Sequence, residues 1–98
     1  MAFVQLVVFG TNEVDKVKNL AERYREETKG RSKVRRVTVA ADRDAPGRYA
    51  TIVEFDSAED AEANNSLPET QAFAEEMNKL ADGPVAYHNL DVLQRYES

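Results

Sequence analysis

Few side chains in this chain can exchange a proton near neutrality, since it has one histidine, His88, and no cysteine. An ordinary imidazole, with a pKa of about 6.5, suits general acid–base work near pH 7, so His88 is the candidate base. It shares strand parity with Ala86 and Leu90, whereas Tyr87, Asn89 and Asp91 point the other way. A lone strand histidine equally serves as a partly exposed or locally hydrogen-bonded residue. Asn64, at a break between two helical pieces, can donate to a substrate oxygen or act as a turn and capping residue. Gln5 is the single polar side chain in the apolar run from Phe3 to Phe9. Its amide either orients a ligand oxygen or bonds a neighbour or water near the strand end. Tyr24, Phe73 and Met77 fall on apolar helix stripes. Such stripes form core, and become ligand-binding walls only where the space between helices and sheet is incompletely filled.

The missing residue types exclude much chemistry. Without cysteine there is no disulfide framework, thiolate nucleophile, iron–sulfur cluster or Cys/His zinc site. No G-x-S-x-G elbow holds a serine against His88, and no D-x-D-x-D-G loop offers a calcium site. No cofactor is implied. Thirteen basic residues against 18 acidic give a net charge of −5, which repels nucleic acid and anionic membrane. The cations Lys29, Arg31, Lys33, Arg35 and Arg36 crowd one short stretch. They read as a solvated strand entry or as an anion-attracting rim, with no interleaved aromatics for base stacking. No apolar run approaches the roughly 20 residues of a membrane span, and the N-terminus lacks the pattern of a secretory signal, so a cytoplasmic protein is expected.

Ninety-eight residues are enough for one domain, residues 1–98, at roughly 100–200 residues per domain. The run from Phe3 to Phe9 reads as a strand, and Thr11 or Asn12 can cap a helix of about four turns carrying Val14, Val17, Leu20, Tyr24 and Thr28, closed by Gly30. A strand from Lys33 to Ala41 and another from Arg48 to Phe55 flank Asp42–Gly47, with Pro46 and Gly47 supplying turn chemistry for a hairpin. Ser57 with Asp60 opens a short Ala-rich helix, and Ser66 with Glu69 offers a second capping box for a helix carrying Phe73, Met77 and Leu80. Asp82-Gly83-Pro84 ends that helix before a last strand from about Val85 to Gln94. The order predicts a ferredoxin-like α+β fold, β-α-β-β-α-β, with a four-stranded antiparallel sheet and both helices on one face. Phe3, Val7 and Phe9 lie on one side of the first strand and Val4, Leu6 and Val8 on the other, so both faces read as buried. Helices can cover one face only; the other is expected to meet a second copy, giving a homodimer paired sheet to sheet. Glu54, alternating with Ile52, would then need a partner such as Arg36.

The segment Val53-Glu54-Phe55-Asp56-Ser57, the helix Ala58 to Asn64, then Ser66-Leu67-Pro68 and Phe73 resemble the dimeric α/β-barrel superfamily, and within it the antibiotic-biosynthesis monooxygenase-like group. Asn64 stands where that group often has a histidine, and Phe55 where it often has tryptophan. The resemblance implies a pocket between helices and sheet in which an electron-rich aromatic, quinol or polyketide-type molecule reacts with oxygen without metal or flavin. Such chemistry needs a water-poor cavity, a proton acceptor and donors to the oxyanion. Gln5, Asn64 and His88 are the polar groups available for it. Haem-degrading relatives ligate iron through a helix histidine, and the stretch from Glu69 to Ala81 has none. The alternative is a non-catalytic dimer that binds a small apolar ligand or serves as an assembly unit.

Overall fold

The computed structural model describes residues 1–97. Phe3–Gly10 forms β1, in which β-branched and aromatic residues favour an extended, half-buried chain. It is a central strand, pairing antiparallel with β3 (Arg48–Phe55) on one side and β4 (Ala86–Asp91) on the other, while β2 (Arg36–Ala41) pairs with β3 at the far edge. The order β2-β3-β1-β4 is the expected ferredoxin-like sheet. The helices are α1 (Val14–Glu27), α2 (Ala58–Asn65) and α3 (Pro68–Leu80).

Register assigns the two faces, because directly opposed residues project to the same side. Val7 and Phe9 pack with Val17, Leu20 and Met77, with Tyr49, Phe73 and Leu80 around them. Phe9 is fully buried and stacks on Tyr49 at 5.9 Å. Burying a side chain of that size stabilises the fold by about 1.5–3 kcal/mol. Phe55 closes the other end of the sheet, 3% exposed and 6.3 Å from the Phe3 ring. The opposite face carries Val4, Leu6 and Val8 with their ladder partners Ala50, Ile52, Glu54, Ala86, His88 and Leu90, and no helix lies on it.

Local details explain where the elements begin and end. Gly47 turns the β2–β3 hairpin at φ +83° and Gly30 follows α1 at φ +84°, both in the left-handed region that favours glycine. Ser57 caps α2 by accepting from the Asp60 N–H at 3.1 Å, as the spacing predicts. Several boundaries differ from expectation. At α3 the capping box does not form: Leu67 is the N-cap, Pro68 supplies the first turn, and the Ser66 hydroxyl turns back to the Glu62 carbonyl at 3.2 Å. At α1 the N-cap is Glu13, while Thr11 accepts from the Glu13 N–H and donates to the Leu80 carbonyl at 2.7 Å, tying the start of α1 to the end of α3. β2 begins at Arg36 rather than Lys33, because Arg31 and Ser32 both donate backbone N–H groups to the Thr28 carbonyl and Val34 donates to the Ser32 hydroxyl. β4 stops at Asp91; beyond it the Val92 N–H donates to the carbonyl of Ala2, the residue before β1.

Candidate functional site

The helices cover the sheet unevenly. α1 and α3 pack over the Val7–Phe9 end and against each other. Nearer the other end, the same side of the sheet carries Gln5, its ladder partners Val53 and Asn89, and Val37 beyond Val53. Gln5 and Val53 are half-buried there, whereas Val37 on one edge strand and Tyr87 on the other are 45% and 46% exposed. This makes a shelf of aliphatic and aromatic side chains around one amide pair, in which the Gln5 Nε2 donates to the Asn89 Oδ1 at 3.2 Å. The pair leaves the Gln5 carbonyl oxygen and the Asn89 amide N–H groups for a ligand. Asp91, opposite Phe3, is the carboxylate that β4 presents on this side.

Asn64 occupies a different place. It is 4% exposed at the end of α2, and its amide is engaged on both sides. The Oδ1 accepts from the Ser32 hydroxyl at 3.1 Å and the Lys33 N–H at 3.3 Å, and the Nδ2 donates to the Tyr24 hydroxyl oxygen at 3.0 Å. Tyr24 and Thr70 share a further hydrogen bond of 2.6 Å between their hydroxyls, and the Tyr24 ring tilts against Phe73 with centroids 5.0 Å apart. Asn64, Tyr24 and Phe73 are therefore brought together, in a polar chain that pins the α1–β2 connection, α1 and α3 to one another. Met77, 3% exposed, belongs to the packed core beneath. The cleft beside Tyr24 and Phe73, between α1 and α3, holds about 50 Å³, well short of the roughly 300 Å³ of a small-molecule site.

His88 stands opposite Leu6 on the helix-free face, so Gln5 and His88 are on opposite sides of the sheet. Glu54 lies on that face with Arg36 at 3.5 Å and Arg95 at 3.4 Å, which supplies the partner its position demands. The basic stretch is largely matched. Arg31 pairs with Glu69 and Arg35 with Asp56, and these hydrogen bonds hold both carboxyls below the usual carboxylate range. A polar groove of about 250 Å³ runs beside Arg35, lined by Ser32, Lys33, Val34, Asp56 and Asp60. Among the described residues, no three His, Asp or Glu side chains converge as a metal site, and no helix is long and apolar enough to cross a membrane.

Asn89 and Asp91 escape a reading that weighs residues one at a time. Their parity opposite His88 is visible in the sequence, but sharing a side with Gln5 depends on the β1–β4 register, where Gln5 faces Asn89. A slip of one residue would have put His88 there instead.

No family model and no curated protein matches the chain in sequence. Solved structures match it along nearly its whole length. SnoaB, a cofactor-independent oxygenase from Streptomyces nogalater, superposes with a TM-score of 0.83 at 12% identity, covering 99% of this chain and 98% of that one. A protein from Mycobacterium tuberculosis gives 0.79 at 14% identity over 99% and 100%. A structure described as an antibiotic biosynthesis monooxygenase gives 0.73 at 17% identity over 96% and 100%. The chain has the ferredoxin-like α+β fold of these proteins.

Proposed function

We propose that the protein is a monooxygenase-like homodimer that takes a small aromatic, quinol or polyketide-type molecule onto the helix side of its sheet. The observation that carries this reading is the half-buried shelf between the part of the sheet under α1 and α3 and the part under α2, where the Gln5–Asn89 amide pair sits beside Val53, with Val37 and Tyr87 toward the two edges. Apolar walls with a few convergent polar groups are what a planar, oxygen-bearing aromatic needs. Likeness in fold to a cofactor-independent oxygenase supports the choice of reaction class. In that reaction a phenol supplies its own reducing equivalents: one atom of O₂ enters the ring carbon, and the other leaves as water with two hydrogens from the substrate. 1-Naphthol would give 1,4-naphthoquinone and water. The shelf amides would orient the phenolic oxygen and stabilise its anion, and Asp91 is the nearby proton acceptor.

The apolar helix-free face supports the dimer. Val4, Leu6, Val8, Ile52 and Leu90 form a continuous patch with the Arg36–Glu54–Arg95 group at one end. An apolar patch on a regular sheet, with its charges gathered toward the ends, suits an isologous partner with the same surface.

A second reading is favoured by the saturation of Asn64 and by the placing of His88 away from the shelf: a dimeric module that binds such a ligand without oxidising it. Oxygen uptake with 1-naphthol separates the two. Oxygenation predicts one O₂ consumed per quinone formed, and loss of activity in Gln5→Leu. Binding with no oxygen uptake would establish the module, and no binding by 1-naphthol or larger fused phenols would overturn both.

A further inference from the structure

We infer that His88 makes the sheet-to-sheet pairing of two copies pH-dependent, so that the dimer is strong at pH 8 and weakened in mild acid. The inference rests on the dimer proposed above and adds its regulation. His88 is the only histidine in the chain and stands midway along β4, opposite Leu6, on the helix-free face. Its neighbours on that face are Ala86 and Leu90 along its own strand and Val4, Leu6 and Val8 on β1, none of which can compensate a charge.

The charged groups on the same face are farther away, toward its ends, and cations outnumber acids among them. β3 brings Glu54 and Arg48, β2 brings Arg36, Asp42 follows β2 beside Arg48 at the hairpin, and the chain after β4 brings Arg95. Glu54 lies across Val4 from Leu90, not across from His88, and already holds Arg36 and Arg95. A symmetric partner presents the same set again, three arginines against Glu54 and Asp42, with Glu54 already held by two of the arginines. An imidazolium formed at His88 in the assembled dimer would lose its water, gain no acid, and meet an excess of positive charge; the neutral ring meets none of these costs. Proton binding therefore favours the separated chains, and the dimer is stabilised above the imidazole range and loosened as pH falls through it. The arginine-paired Asp56 and Glu69 titrate below this range and stay ionised throughout, so they do not blur the transition.

Imidazole is the side chain whose charge changes between pH 8 and mild acid. If the dimer accepts only the neutral form, the dissociation constant rises about tenfold per protomer between pH 8 and pH 5.5, or about 100-fold for the pair. Sedimentation equilibrium on the full chain at the two pH values tests this. The wild type is expected to show that rise, and His88→Gln to dimerise with nearly the same constant at both. His88→Phe, which keeps the ring apolar, provides the same comparison should the glutamine variant fold poorly. A wild-type dimer whose constant is unchanged within threefold, or a variant that keeps the full pH dependence, overturns the role of His88 and leaves the dimer standing. A chain that is monomeric at pH 8 at every concentration overturns the dimer and this inference together.

Discussion

Replacing Asn64 by alanine removes three hydrogen bonds at once, to the Ser32 hydroxyl, the Lys33 N–H and the Tyr24 hydroxyl. The side chain is 4% exposed, so water cannot readily replace it. Each such bond contributes a net of about 0.5–1.5 kcal/mol, and a buried donor left without an acceptor costs about 1–3 kcal/mol. The Lys33 N–H bears only part of that second cost, because Lys33 is exposed beside the Arg35 groove; Tyr24 keeps its bond to Thr70 and the hydroxyl of Ser32 can rotate. The expected loss is about 2–4 kcal/mol, or roughly 10–20 °C in Tm for a domain of this size. Asn64→Asp is a milder change, because its carboxylate can still accept from Ser32 and Lys33 and the Tyr24 hydroxyl can rotate to donate to it. Urea unfolding followed by far-UV circular dichroism, at one fixed protein concentration, measures both. An Asn64→Ala variant that loses less than about 0.5 kcal/mol would refute the claim that this amide holds α1, α3 and the α1–β2 connection together.

Other perturbations test other parts of the account. Leu6→Asp or Val4→Asp should give monomers or aggregates in light scattering, because an unpaired charge buried in an interface costs several kcal/mol; a soluble, unchanged dimer in both would remove the sheet-to-sheet pairing. Asp56 and Glu69 have carboxyls held low by Arg35 and Arg31, so the stability they contribute is present above the ordinary carboxylate range and lost as pH falls through their lowered values. Arg35→Gln should make stability less steeply dependent on pH between about pH 5 and pH 2, and an unchanged acid profile would contradict this. Gly47→Ala, at φ +83°, should cost about 1 kcal/mol or more in thermal unfolding, against no change if the hairpin can adopt another turn.

The fold was legible because the signals at several levels agree. The alternation in β1 assigns Val7 and Phe9 to one side and Leu6 and Val8 to the other, and register and burial bear it out. The turn at Gly47 and the cap at Ser57 are local, and local chemistry decides them. Ser66 and Glu69 have the spacing of a capping box too, but Pro68 carries the first turn and Glu69 is drawn to Arg31, a residue 38 positions away. The candidate site was less legible for the same reason. Gln5 could be singled out as a polar residue in an apolar strand, but its partner Asn89 is 84 positions along the chain. Likewise, nothing near Asn64 in sequence reveals that Ser32, Lys33 and Tyr24 engage its amide.

If the helix side of the sheet beside Gln5 and Asn89 receives a planar aromatic, backbone amide shifts will report it on titration with 1-naphthol. Saturable shifts are expected to concentrate at Gln5, Val53, Tyr87 and Asn89 and to weaken in Gln5→Leu. Shifts centred on Tyr24 and Phe73 in the α1–α3 cleft, or on the Leu6–His88 face, would contradict it.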